Sequence, residues 1–196
     1  MALETDMKTQ TGTPEVSVII PAHNASAFVP YAISSALASE AVKIEVIVVD
    51  DGSTDETWNL LDAYGDAIQA VRVANGGPYR ARNLAAGLAK GEWLAFLDSD
   101  DEWEAEKLKK QLACADDQTS MVYTDCRNIG DTSRVKPFQS DNTAMFEGQI
   151  FRQLLHENFI SLSSVLIRKS CFDRLGGFSL EATGVQDWDL WLRLSG

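Results

Sequence analysis

Runs of apolar, β-branched residues divide the chain into short strands. "VSVIIPA" (16–22) and "IEVIVVDDG" (44–52) are apolar without alternation, as is typical of central parallel strands that are covered on both faces. Between them, "SAFVPYAISSALAS" has apolar residues near helical spacing, with Ser26 as the expected N-cap and Pro30 in the first turn. The pattern therefore predicts a strand, a helix and a second strand.

The same alternation continues along the chain. Helical patterns occur at "SDETWNLLDAY", with Ser53 or Asp55 as its cap, at "YRARNLAAGLAK", at "EWEAEKLKKQLACA" and at the final "DWDLWLRL". Strand patterns occur at "IQAVRV", "EWLAFLD", "MVYTDC" and "SLSSVLIRK". Strands and helices that alternate at short spacing predict right-handed crossovers and a mainly parallel sheet. We expect a single α/β domain over residues 16–196, after a disordered tail at residues 1–15.

Residues 127–144 interrupt this alternation with polar sequence that contains glycine and proline and has no period. A loop of that length in a compact domain is typical of a functional or mobile segment. We expect it to become ordered over a bound ligand.

Composition narrows the classes of function. The chain has 29 acidic and 17 basic residues, a formal net charge of −12, and hence no basic stripe that would bind nucleic acid. It has no stretch of about 18 apolar residues, so no membrane span is expected. Its three scattered cysteines lack the spacing of a disulfide framework or a zinc site, which favours a reducing compartment. The sequence stops inside an amphipathic helix, so we expect a chain truncated at its C-terminus.

Candidate chemistry lies where the strands end, because open parallel sheets bind ligands beyond the carboxyl ends of their strands. Asp98 and Asp100 follow the buried run "WLAFL" and, two residues apart, can point to the same side. Carboxylate oxygens suit Mg²⁺ or Mn²⁺. Alternatively, Asp98, Asp100 and Asp101 form a turn and the N-cap of the next helix. The residues alone leave both interpretations open.

Two further strand ends carry candidate ligands for a nucleotide. In "DDGSTD", a turn and helix cap account for Gly52 and Ser53 but do not require two adjacent carboxylates, Asp50 and Asp51, which could bind a uracil ring or ribose hydroxyls. "NGGPYRARN" lacks the dinucleotide and P-loop patterns. Arg82 in this segment lies at a helix start, where it could meet a diphosphate or organise the site.

Taken together, "VSVIIPAHN", "IEVIVVDDGSTDET", "NGGPYRARNLAAGLAKGEWLAFLDSDDEW" and "GVQDWDLWLRL" resemble the successive motifs of glycosyltransferase family 2. The resemblance implies the GT-A fold, with a Rossmann-like and mainly parallel sheet. It also implies inverting transfer from a UDP- or dTDP-linked sugar, with Mn²⁺ or Mg²⁺, to a saccharide or lipid-linked acceptor. Such enzymes build cell-surface polysaccharides or glycoconjugates, so the resemblance suggests a cytoplasmic protein or one at the inner face of the membrane.

The resemblance also implies individual roles. Asp187 would be the catalytic base and Asp100 the metal ligand. The expected substrate-binding residues are Pro21, Ala22, Asp50, Asp51, Arg82, Asp98 and Ser99. In this chain Gln186 precedes Asp187, where the family commonly has Glu. This change bears on the basicity of Asp187 or on the preference for an acceptor, and not on the reaction class.

Three alternatives accompany this assignment. Asp187 or Asp189 could be only a helix cap, with Trp188 and Trp191 on the apolar face. A sugar-1-phosphate nucleotidyltransferase would want a basic, glycine-rich loop after the first strand, and "PAHNAS" is not one. A nucleotide-binding module without transfer activity would result if the acceptor-binding parts lie beyond Gly196.

Overall fold

The computed structural model describes residues 12–130, 132 and 135–196. Within these residues six strands form one sheet, in the order β3-β2-β1-β4-β6-β5. They are β1 (Val16–Ala22), β2 (Ile44–Asp51), β3 (Gln69–Val73), β4 (Trp93–Phe96), β5 (Met121–Val122) and β6 (Leu166–Arg168). The first four strands pair in parallel, whereas β6 is antiparallel to both of its neighbours. The predicted mainly parallel α/β fold is confirmed, and residues 1–11 of the predicted tail lie outside the described part.

Helices flank this sheet. The described residues contain α1 (Val29–Leu37), α2 (Thr57–Asp62), α3 (Pro78–Leu88), α4 (Lys107–Ala113), α5 (Phe151–Leu154), α6 (Lys169–Arg174) and α7 (Gln186–Ser195). None of the helices in the described ranges is long and apolar enough to cross a membrane.

The sheet is buried on both faces, which explains the unbroken apolar run of the first strand. All seven residues of β1 are buried. Val18 packs with α1 on one face, and Ile19 packs with α3 and α7 on the other. This double layer fixes the carboxyl ends of β1, β2 and β4 at one edge of a rigid scaffold.

The predicted helix caps are partly wrong. Ser26 does not cap α1, because the N-cap of that helix is Phe28. The backbone N–H of Ser26 donates instead to Asp55 Oδ2 at 3.1 Å. Asp55 Oδ1 accepts from the backbone N–H of Thr57, the first residue of α2, at 3.0 Å. The hydrogen bonds with Ser26 and Thr57 hold the pKa of Asp55 well below its usual value. Asp55 therefore joins the starts of both helices, and a single-helix pattern does not reveal that contact.

The later strands are shorter than predicted. "SLSSVLIRK" begins with a 3₁₀ turn at Leu162–Ser164, and only Leu166–Arg168 pairs in the sheet. The carbonyl oxygens of Ser163 and Ser164 accept hydrogen bonds from the side chains of Trp103 and Gln111, so side chains replace a neighbouring strand there. "MVYTDC" contributes only Met121–Val122.

The segment at residues 127–144 is held by hydrogen bonds within itself and to Phe159. Asn128 N–H donates to Pro137 O at 2.8 Å, and Gln139 Nε2 donates to Phe159 O at 2.9 Å. Asp131, Ser133 and Arg134 lie outside the described residues. The expectation that this segment covers a ligand stays a prediction.

Candidate functional site

A cleft of about 350 Å³ opens at the carboxyl ends of β1, β2 and β4. It brings together seven of the residues that the sequence analysis selected: Pro21, Ala22, Asp51, Arg82, Asp98, Ser99 and Asp100. Asp50 and Asp187 do not line it. The cleft lies where ligands of open parallel sheets bind, so its position agrees with the strand-end rule that selected these residues.

Asp51 attaches the glycine loop, residues 74–77 between β3 and α3, to the end of β2. Its two carboxylate oxygens accept the backbone N–H groups of Gly76 and Gly77, each at 2.8 Å. The following residue, Gly52, has φ +73°, and a Cβ there would lie 2.7 Å from the backbone nitrogen of Asn75. Glycine is therefore required for this close approach, and the carboxylate of Asp51 has only its remaining lone pairs for a nucleoside.

Asp50 stabilises the turn after β2 and joins that strand to β3. Its side chain is fully buried, accepts the N–H of Ser53 at 3.0 Å and forms an ion pair with Arg72 at 3.1 Å. This placement accords with a supporting role and not with direct contact in the cleft.

Arg82 is a buried cation with unused donors. Its side chain is only 6% exposed, and its Nη2 donates to Asp98 Oδ1 at 2.5 Å. Its guanidinium lies 4.6 Å from the centre of the Tyr79 ring. Among the described residues, Nε and Nη1 have no hydrogen-bond partner. Because buried donors without partners are costly, an anionic ligand in the cleft would complete this site.

The acidic loop after β4 is a turn and not a helix cap. The backbone N–H of Asp101 donates to Asp98 O at 3.1 Å, and α4 begins only at Lys107. The prediction of a turn is therefore consistent with the structure, but the prediction that these aspartates cap the next helix is wrong. Partial loss of water raises the pKa of Asp101, and the negative charges of Asp98 and Asp100 add to this effect.

Asp100 is exposed and lines the cleft. In the described ranges no group of three or more His, Cys, Asp or Glu residues could hold a metal ion by itself. Mg²⁺ is usually bound by one or two carboxylates with phosphate oxygens and water. The donor set therefore fits a divalent cation that binds together with a diphosphate.

Asp187 lies in the first turn of α7 and is half-buried. The N-cap of α7 is Val185, without a side-chain cap, so Asp187 does not cap the helix. Burial raises the pKa of Tyr79, and the negative charge of Asp187 raises it further. Since Tyr79 also packs against Arg82, it links Asp187 to the cleft. Trp191 is buried in the core, as the helical pattern predicted.

Gln186, which precedes Asp187, has its Oε1 buried without a hydrogen-bond partner among the described residues. A neutral amide is less costly in that position than a carboxylate would be. This is a physical reason for glutamine there.

Several side chains of this region were not predicted from the sequence. His23 lines the cleft, and its Nδ1 lies 2.8 Å from Asp51 O and 3.2 Å from Asn75 Nδ2. Both residues follow strand ends, so the same rule would have found them. Asn158 Nδ2 donates to Asp187 Oδ2 at 3.1 Å, a contact between residues 29 positions apart that no sequence period indicates.

Comparisons with known proteins identify the family and the fold of the chain. The model of glycosyl transferase family 2 matches residues 17–176. An uncharacterized glycosyltransferase of Rickettsia typhi is 34% identical over 194 residues, which are 95% of this chain and 60% of that protein. The UDP-Glc:alpha-D-GlcNAc-diphosphoundecaprenol beta-1,3-glucosyltransferase WfaP of Escherichia coli is 39% identical over 100 residues, 50% of this chain and 39% of the relative. The chain thus spans less than two thirds of these relatives.

Solved structures share the fold. TarS of Staphylococcus aureus in complex with UDP-GlcNAc has a TM-score of 0.72 and 25% identity, over 92% of this chain and 53% of TarS. The mannosyltransferase PcManGT of Pyrobaculum calidifontis, in complex with GDP-Man and Mn²⁺, has a TM-score of 0.69 and 20% identity, over 94% of this chain and 52% of its own.

Proposed function

Because this chain belongs to glycosyltransferase family 2, we propose that it carries the donor site and catalytic base of an inverting glycosyltransferase. The enzyme moves a sugar from a UDP- or dTDP-linked donor to a hydroxyl group of a saccharide or lipid-linked acceptor. The observation that carries this proposal is the cleft that joins the buried Arg82 to Asp98 and Asp100.

The setting is cell-surface polysaccharide or glycoconjugate synthesis at the inner face of the cytoplasmic membrane. The name of the Escherichia coli relative supports this setting, since diphosphoundecaprenol is a membrane lipid.

The residues of the cleft divide into a nucleoside end and a diphosphate end. Pro21 and Ala22 offer an apolar wall beside Asp51, which suits a base and its ribose. The buried guanidinium of Arg82 suits diphosphate oxygens, because its positive charge is permanent and its Nε and Nη1 have no hydrogen-bond partner among the described residues. Mn²⁺ or Mg²⁺, held by Asp100 together with those oxygens, would neutralise charge on the leaving group.

The chemistry assigned to Asp187 is general-base catalysis. The carboxylate takes the proton of the acceptor hydroxyl while that oxygen forms a bond to the anomeric carbon of the sugar. The bond from the anomeric carbon to the diphosphate breaks on the opposite face, and the nucleoside diphosphate leaves with the electron pair. A single displacement of this kind inverts the anomeric configuration.

Calorimetric titration of UDP tests the donor site. We expect much tighter binding with Mn²⁺ than with a chelator, and we expect Asp100→Ala to remove most of that difference. Glu102→Ala is the matched control, because Glu102 is an exposed acidic residue of the same segment that does not line the cleft. Equal UDP affinity with and without metal would contradict the metal assignment. A screen of UDP-, dTDP- and GDP-linked sugars by thermal shift, with and without Mn²⁺, then identifies the donor.

A further inference from the structure

Asn158 contacts the carboxylate of Asp187 from outside α7. Its Nδ2 donates to Asp187 Oδ2 at 3.1 Å, and its own Oδ1 accepts the backbone N–H of Ile160 at 3.3 Å. These two contacts use both ends of the amide and fix its orientation. Within the described part of the chain, Asp187 Oδ1 has no hydrogen-bond partner, so one oxygen of the carboxylate is held and the other is free.

The loop that carries Asn158 is anchored in the core. The next two residues, Phe159 and Ile160, are buried. Gln139 Nε2 donates to the carbonyl oxygen of Phe159 at 2.9 Å. The loop is therefore attached to the scaffold by contacts that do not involve Asp187.

The start of α7 is attached to the scaffold separately. Trp188 Nε1 donates to Leu154 O at 2.6 Å, which joins α7 to α5, and Trp191 is fully buried. Besides burial, the negative charge of Asp187 contributes to the raised pKa of Tyr79, so the two residues lie close together. The Tyr79 ring packs against Phe178 with a centroid distance of 5.1 Å. Asp187 is thus held in place by the anchored helix α7 and, through its carboxylate, by Asn158.

We propose that Asn158 is a positioning residue for the transfer reaction: it holds Oδ2 of Asp187 so that Oδ1 faces the acceptor hydroxyl. This inference rests on the proposed role of Asp187 as the base. An asparagine suits the task because it donates a hydrogen bond without a positive charge, which would reduce the basicity of the carboxylate. Orientation matters because a misplacement of about 1 Å at a reacting group can cost about 10²-fold in rate.

The test variant is Asn158→Asp. It keeps the size of the side chain and an oxygen acceptor for Ile160 N–H, but it removes the donor and places a second carboxylate beside Asp187. We expect turnover for transfer to fall by about 10-fold or more, while the affinity for UDP with Mn²⁺ stays the same, because the donor cleft is untouched. The unchanged affinity also reports that the variant is folded.

Ile160→Val is the matched control. It loosens the buried end of the same loop but keeps the backbone N–H that Asn158 accepts and changes no side chain of the segment at residues 127–144. If general loosening of the loop were the cause, both variants would lose turnover alike, and the inference would be wrong. If Asn158→Asp does not fold, Asn158→Ala decides the question, since it removes the donor without adding charge. Normal turnover in a folded Asn158→Ala protein overturns the inference.

A double-mutant cycle with Asp187→Asn separates this inference from the proposed function. Since Asn158 acts through Asp187, Asn158→Asp should have no further effect on the residual transfer of Asp187→Asn. If Asp187→Asn alone leaves transfer unchanged, the proposed base is wrong. If Asp187→Asn lowers turnover by about 10²-fold or more but the two effects multiply, the base assignment stands and the positioning inference fails.

Discussion

At the scale of single residues, one buried hydroxyl group fixes the acidic loop of the cleft. Ser163 Oγ accepts the backbone N–H of Asp98 at 3.0 Å, and a hydrogen bond from the Ser163 side chain opposes the rise in the pKa of Asp101. The carbonyl oxygen of Ser163 accepts Trp103 Nε1 at 2.7 Å. Ser163 therefore connects the first carboxylate of the loop with the residues beyond its end.

Replacement of Ser163 by alanine should weaken metal-dependent UDP binding as well as lower the free energy of unfolding. The change leaves a backbone donor of the loop without its partner, which costs about 1–3 kcal/mol where the group is buried. As the loop shifts, we expect the Mn²⁺ concentration for half-maximal UDP binding to rise several-fold in calorimetric titrations. Ser164→Ala is the control, because the Ser164 hydroxyl donates to Ser161 O at 2.6 Å within the same turn. The same Mn²⁺ requirement in both variants would contradict the role of Ser163.

At the scale of elements, α4 contains a lysine on its buried side. Lys107 Nζ donates to Gln111 Oε1 at 2.8 Å and lies 4.1 Å from the centre of the Trp103 ring. Burial lowers the pKa of Lys107 to about 7, because the charged form loses its hydration. Gln111 in turn donates to the carbonyl oxygens of Val122 and Ser164. The helix thus joins the sheet through polar side chains, one of which titrates near neutrality.

Lys107→Met should change how stability depends on pH. The folded-state pKa of Lys107 is about 7, below an unfolded value of about 10.4. Between these values the unfolded chain binds one more proton than the folded one, so the Lys107 contribution to stability rises with pH. In Lys107→Met, the increase of the unfolding free energy with pH should therefore be smaller by up to about 1.4 kcal/mol per pH unit in this window.

Urea unfolding at a series of pH values measures that slope. Lys110→Met is the control, because Lys110 lies on the same helix but is exposed and paired with Glu106. Hydrogen bonding with Glu106 and the charge of that residue raise the pKa of Lys110. An unchanged slope in Lys107→Met would show that the buried lysine does not titrate in this window.

The elements also show which parts of the fold the sequence could predict. Central parallel strands are buried on both faces, so β1 and β2 were recognisable as continuous apolar runs, and their ends located most of the cleft. The direction and length of β6 were not encoded in this way. Likewise, a helical pattern from residue 102 did not reveal that α4 begins at Lys107. Trp103 is kept out of the helix because its backbone N–H and its indole bond Ser35 and Ser163.

The surroundings of Asp187 were harder to predict, because they depend on contacts between distant parts of the chain. The base was assigned from a resemblance, whereas its partners Asn158 and Tyr79 come from a loop and a helix far apart in the chain. Contacts of this kind depend on how α3 and α7 pack on one face of the sheet. Local periodicity determines which face of each helix is buried but not which side chains meet across the face.

At the scale of the whole molecule, charge opposes the binding of the proposed donor. The chain has a formal net charge of −12. The cleft itself is lined by three carboxylates, Asp51, Asp98 and Asp100, and by one arginine, Arg82. The long-range field and the local charges therefore both repel a nucleoside diphosphate, and a divalent cation is the natural means of reversing that repulsion.

This balance predicts how the binding rate depends on salt. Without metal, the association rate constant of UDP in stopped-flow measurements should increase from about 0.01 M to about 0.1 M salt, because the Debye length falls from about 30 Å to about 10 Å and screens the repulsion. With saturating Mn²⁺ the increase should flatten, since the metal complex of UDP carries less negative charge. Uridine is the matched control, because it is uncharged and its association should not respond to salt. If UDP binds more slowly as salt is added in the absence of metal, attraction by Arg82 outweighs the net charge of the molecule, and the metal is not needed to bring the donor to the cleft.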